Sequence, residues 1–222
     1  MKSESNKLAV RGELALIAMV IMNSAGVLLM LHSGSGISAI SSVPYGSQQV
    51  FPQLTLGTWT YMFQGLLVLV LMLLRRKFIP SYLFSFVVGF VFGKLMDLEK
   101  PFIDALPLNI PMRVLYFVLS YLILCFGISL GNRCGLPITP TDLFPREMAD
   151  ITKLPYARVK ITFDLTCLIT TAVITFVGVG AIRGLGIGTV VAACTMGKGI
   201  AFIGSLLDKR LTFHSVLDGQ KV

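Results

Sequence analysis

The sequence predicts an all-α polytopic membrane protein. It would have six transmembrane helices in two inverted three-helix repeats, with short re-entrant or interfacial helices. Three observations lead there. Hydrophobic residues make up 55% of the chain and charged residues 14%, against about 25% charge in a soluble domain, and the mean hydropathy is +0.80. Six segments are long and apolar enough to cross the hydrocarbon core, which takes around 20 residues. The two halves of the chain also match in residue type and order.

The spans run in order Leu14 to Leu31, Thr58 to Leu74, Ile79 past Lys94, Met112 to Leu130, Val159 to Val179 and Leu185 to Leu207. The first is too long for a signal-peptide core and is not followed by an Ala-x-Ala site. The formal net charge of +8 fits lysines and arginines at span ends, anchored among headgroups. A nucleic-acid binder would cluster them on one wet face with aromatics between, so no nucleic acid is expected. Lys2, Lys7 and Arg11, then Arg75, Arg76 and Lys77, then Arg133, Arg146, Lys153, Arg158 and Lys160, then Lys209 and Arg210 all fall on one side if the spans alternate. Basic residues favour the cytoplasmic side, so both termini are expected there.

Two connections differ from ordinary loops. Between His32 and Gly57 there is no Asp, Glu, Lys or Arg, while the stretch from Arg133 to Arg158 carries Pro137, Pro140, Pro145 and Pro155. Each can hold a short helix dipping into the membrane, where irregular backbone survives only when buried in protein or lining a wet cavity. At an offset near one hundred residues, Ser33 to Ser38 falls on Cys134 to Thr139, Pro44 on Pro145, Gly26 on Gly127, Gln64 on Asp164, and Gly93-Lys94 on Gly197-Lys198. Residues 1–107 and 108–222 therefore read as two repeats of one membrane domain. Three spans per half invert the second, an architecture of many secondary transporters whose sites lie near the midplane.

Candidate binding residues follow from charge at depth. Lys198 stands about thirteen residues into the sixth span, some 20 Å deep at 1.5 Å per residue. A lysine there costs about 2.5–3.5 kcal/mol to insert and is expected to face the bundle interior, a partner or water. Flanking Gly197 allows close approach. Lys94 is its counterpart and Gln64 that of Asp164. Asp164 pairs with Lys198 or, one turn back, with Lys160, or it takes up a proton or cation. Thr139, Pro140 and Asp142 read as a helix start, with Ser38 to Ser41 the weaker equivalent, and inward helix N-termini make anion sites. Asn23 reads as packing glue. The four cysteines form no CxxC pair, and no histidine stands at metal-ligand spacing. No catalytic set is legible, and neither an enzyme nor a cofactor is expected.

The runs Gly135 to Leu143, Val159 to Asp164, and Gly186 to Thr189 with Gly197-Lys198 resemble the YczE/YyaS/YitT group of bacterial membrane proteins. The likeness covers nearly the whole chain and implies the bacterial cytoplasmic membrane. The first half departs from it, since Gly36 to Ser41 lacks the Pro and Asp of the second. The expected function is a carrier or channel for a small anionic or zwitterionic solute, bound by Lys198, Lys94, Asp164, Gln64, Ser38, Thr139, Asp142 and Gly197. The alternatives are a substrate-binding subunit like those of energy-coupling-factor transporters, or a structural membrane partner. Expected partners are the bilayer, a small solute, and a second copy or another membrane protein.

Overall fold

The computed structural model describes residues 8–214, which leaves Lys2 and Lys7 of the basic clusters outside the described residues. Six long helices form: α1 (Gly12–His32), α3 (Leu56–Arg75), α4 (Pro80–Asp104), α5 (Ile110–Gly131), α7 (Tyr156–Val179) and α8 (Ile187–Arg210), with the short α2 (Ala39–Val50) and α6 (Pro140–Thr152) between the first and second of each set of three. The shortest long helix has 20 residues, about 30 Å at 1.5 Å per residue and so the thickness of the hydrocarbon core. With 12 and 13 residues, α2 and α6 reach about two thirds of that.

Local chemistry sets the boundaries. Pro80 and Pro140 start α4 and α6, where a missing N–H costs nothing. The side chains of Thr55 and Asn109 accept from the backbone N–H groups of Thr58 and Met112, capping α3 and α5. Left-handed residues Arg76, Lys153 and Gly180 end α3, α6 and α7.

The packing pairs come in twos. Helix α1 crosses α5; α1 packs on α4 as α5 does on α8; α3 packs on α4 as α7 does on α8; α2 lies against α3 and α7, and α6 against α7 and α3. Half of the apolar window of α1 and of α5 is buried, more than in any other span, so these two form the centre. Their crossing is close because Gly26 meets Leu124 and Gly127 meets Asn23. In each half the first span is also the most apolar, α1 ahead of α3 and α4, and α5 ahead of α7 and α8.

Large apolar side chains cover the outside, among them Leu66 and Leu73 on α3, Phe84 and Val87 on α4, and Phe176 and Val177 on α7. In water a patch of that extent would aggregate; against acyl chains it is matched. Before α1 and after α8, strands β1 (Leu8–Arg11) and β2 (Leu211–His214) pair in parallel, with Leu8 opposite Leu211. The two ends of the described chain therefore leave the bundle on one face.

Candidate functional site

Both short helices begin buried and end at the surface. Ala39 to Pro44 are buried and Phe51, just past α2, is 54% exposed; Pro140 and Asp142 are buried, and Thr152 is exposed. Their first turns are alike. Ser38 and Thr139 take the N-cap position at nearly the same angles (φ −58°, ψ 144° and φ −52°, ψ 139°). Neither caps the backbone through its side chain. Instead the Ser38 hydroxyl donates to Ser41 Oγ at 2.9 Å and the Thr139 hydroxyl to Asp142 Oδ2 at 2.8 Å. The preceding loops match as well: Gly34 and Gly135 sit at φ +73° and +70°, and the backbone N–H groups of Ser35 and Leu136 donate to Ser33 Oγ and Cys134 Sγ.

Between the two first turns lies a cavity of about 30 Å³. Its polar lining is Asn23 from α1, Ser38 and Ser41 from α2, Thr141 and Asp142 from α6, and Lys160 and Asp164 from α7; Phe92, Leu124, Ile128 and Met196 supply apolar walls. Lys160 Nζ donates to both carboxylate oxygens of Asp164, at 2.7 and 2.8 Å, with both side chains almost wholly buried. Taking two charges out of water is costly, and the two-point contact at i,i+4 spacing offsets that cost. Asn23 is 3% exposed and its side-chain oxygen has no hydrogen-bond partner among the described residues. Gln64 is fully buried beside Gly89 and Pro140, with neither amide atom partnered among those residues.

Of the eight residues expected from the sequence, Ser38, Asp142 and Asp164 line the cavity, Thr139 holds Asp142, and Gln64 packs one layer behind at the start of α6. The lysines require a correction. Lys198, expected to face the bundle interior, a partner or water and to bind the solute, is exposed on the outside of the bundle, away from the cavity. Gly197 packs on the Ala157 backbone of α7 and Gly199 on Cys125 and Tyr121 of α5. At about 100° per residue, the position between those contacts turns away from the bundle. Lys94 repeats this: Gly93 meets the Gly57 carbonyl of α3, and the Lys94 ammonium lies outside, 5.9 Å from the Tyr61 ring and 5.7 Å from the Phe90 ring. In both halves the glycine packs and the lysine faces outward. The charge at the centre belongs to Lys160, which the sequence offered only as one of two partners for Asp164. Asn23, which the sequence reads as packing glue, and Ser41, which falls in the weaker helix start, also line the cavity.

Further ion pairs lie toward the helix ends. Arg75 of α3 reaches Glu147 and Asp150 of α6, at 2.7 Å each, and holds the Asp150 carboxyl below the usual carboxylate range. Arg133 at the end of α5 meets Asp208 of α8 at 2.6 Å, as His32 at the end of α1 stands 3.9 Å from Asp104 of α4. Among the described residues no group of His, Cys, Asp and Glu could hold a metal ion.

Six apolar spans around a polar, buried centre define a multi-pass membrane protein. The sequence profile of a family of unknown function, DUF6198, matches residues 10–205, and the chain belongs to that family. Neither a search of curated proteins nor one of solved structures finds a match.

Proposed function

We propose that the protein is a carrier for a small anionic or zwitterionic solute, bound between α2 and α6 at the centre of two inverted three-span repeats, residues 1–107 and 108–222. One observation carries this reading: the N-terminal ends of two short helices meet at a buried cavity that also holds the Lys160–Asp164 pair. If each long helix crosses the bilayer, the end of α1 and the end of α5 lie on opposite sides, so α2 and α6 enter from opposite faces. Broken helices meeting at the midplane are how such repeats build a binding site. The paired helix contacts, the matched Ser38–Ser41 and Thr139–Asp142 contacts, and the matched His32–Asp104 and Arg133–Asp208 pairs support the repeat.

The face bearing β1 and β2 also bears Arg75, Arg133 and Arg146, which supports a cytoplasmic position for both chain ends. The motifs shared with the YczE/YyaS/YitT group, Gly135 to Leu143 and Val159 to Asp164, build one wall of the cavity. Kinship on those motifs would place the protein in the bacterial cytoplasmic membrane.

The test is uptake by proteoliposomes containing the paired variant Lys160→Met with Asp164→Leu. Replacing both partners removes the charges without stranding either, so the protein folds and uptake is lost. A folded double variant with unchanged uptake overturns the carrier reading.

A second reading rests on Lys198. It lies at the middle of the outward side of α8 with no ion pair among the described residues, and a lysine facing lipid there costs about 2.5–3.5 kcal/mol to insert. A membrane partner offering a carboxylate would relieve that cost. Cross-linking and co-purification in native membranes, lost with Lys198→Leu, would favour a protein that works in complex.

A further inference from the structure

We infer that the central site takes up a proton on Asp142, so that the solute moves in company with a proton. The inference deepens the carrier reading and rests on its placement of the site. The cavity brings two carboxylates and one ammonium together: Asp142 from α6, and Asp164 and Lys160 from α7. The two acids are held differently. Both oxygens of Asp164 accept from Lys160 Nζ, at 2.7 and 2.8 Å, and a charge-assisted contact of that kind keeps the acid ionised. Asp142, 6% exposed, is held by a neutral donor, the Thr139 hydroxyl on Oδ2. It forms no ion pair among the described residues. With Asp142 ionised the buried group has one more acid than base, and a proton on Asp142 balances it.

The charges that face Asp142 pull in both directions. Burial and Asp164 oppose its ionised form; Lys160, the positive end of α6 and Arg146, one turn on along α6, favour it. From α3 and α4, Arg75 and Tyr82 are taken up by Glu147 further along α6. The polar lining from α1 and α2, Asn23, Ser38 and Ser41, is uncharged. Opposed influences of this kind bring the two protonation states close in free energy, as an acid that loads and releases a proton requires. Ser41, in the matching place of the first half, has a hydroxyl that does not ionise, so the acid is supplied by the second half.

A route from the face of the chain ends lies beside Asp142. Tyr156, at the start of α7, stands next to Asn132, just past α5, and within electrostatic reach of Asp142 and Asp164. Tyr156 Oη and Asn132 Oδ1 are both buried with no hydrogen-bond partner among the described residues. A phenol both donates and accepts. Tyr156 can therefore hand its proton toward the carboxylate as it takes one from the inner face; the phenol is unchanged and Asp142 ends neutral.

The test is infrared spectroscopy of the purified full chain in detergent across a pH titration, reading the carbonyl band of protonated carboxyl groups. A band should appear with its midpoint above that of exposed carboxyl groups, about pH 4, because burial opposes the charge. Asp142→Asn should abolish it, whereas Glu99→Gln, which removes a half-buried acid of α4, should leave it. Thr139→Val removes the donor that favours the charged form, so it should move the midpoint to higher pH; that shift is readable even if Asp142→Asn fails to fold. Tyr156→Phe should keep the band and slow its rise after a pH jump. The inference is overturned if no band titrates above the exposed range, if Asp142→Asn keeps the band, or if Thr139→Val leaves the midpoint in place. An unslowed rise in Tyr156→Phe overturns the route. Titration of Asp142 with no flux of any solute into vesicles would overturn the carrier reading alone. Solute flux indifferent to an imposed pH gradient would overturn this inference alone.

Discussion

The loop that leads into α2 and the loop that leads into α6 are built alike and packed differently. The first is sealed against α8. Gly188 N–H donates to Ser35 O at 3.0 Å, Ile37 N–H donates to Gly184 O at 3.2 Å, and Gly36 lies directly on Thr189, whose hydroxyl accepts from Gly186 N–H. The second shares a cleft with α4. Gly135, Leu136 and Pro137 border a cleft of about 280 Å³ with Ser81, Tyr82 and Ser85 opposite, and Ser85 Oγ, aligned with Thr189, has no partner among the described residues. The loop into α2 is thus hydrogen-bonded to its neighbour, while the loop into α6 faces a cleft.

The same contrast runs through the core. Lys160 and Asp164 on α7 form a buried ion pair, where α3 carries Thr60, whose hydroxyl donates only to the Leu56 carbonyl, and Gln64. The halves share backbone and packing, but among the described residues the fully buried charged side chains, Asp142, Lys160 and Asp164, all lie in the second.

Three pairs of variants would break or sharpen this comparison. The largest effect is expected for Lys160→Met alone, which strands the Asp164 carboxylate and should cost about 3–5 kcal/mol. Thr60→Val at the matching place should cost about 1 kcal/mol or less, the worth of one hydroxyl hydrogen bond. Denaturant unfolding in detergent compares them, and equal losses would mean that the ion pair contributes nothing special. Next comes Gly36→Ala. Gly36 sits at φ +114° in contact with Thr189, so a side chain there should cost about 1–3 kcal/mol and loosen the seal; Pro137→Ala, in the open loop, should cost far less by the same measurement. The smallest effect concerns the caps. Thr139→Ala should cost more than Ser38→Ala, by about 1 kcal/mol, because its hydroxyl holds a carboxylate and charge-assisted bonds are the stronger ones. Equal costs would mean that Asp142 is neutral in the folded protein.

Much of this was legible in the sequence because the bilayer constrains it so strongly. Apolar length gave the six spans, and Thr139-Pro140 marked α6 through the chemistry of helix starts. The Lys160–Asp164 pair was accessible from i,i+4 spacing. What could not be read was the side each lysine faces. Gly197 and Gly199 flank Lys198, and two glycines give no hydrophobic stripe by which to orient a helix. Only the contacts with Ala157 on one side and Tyr121 on the other fix the rotation. Asn23 was similarly ambiguous, since a polar residue in a span bonds a neighbouring helix or faces a cavity with the same sequence around it.

The order of apolarity along each half bears on how the chain is made. A ribosome delivers α1 and α5 first in their halves, and these most apolar spans partition into lipid unaided. The helices that carry Lys94 and Lys198 come last in each half. By the time each leaves the translocon, the span it packs against, α1 for α4 and α5 for α8, is already in place to receive its glycine-bearing side. Insertion in chain order would run from the centre outward, with Lys94 and Lys198 arriving after the spans their helices pack against.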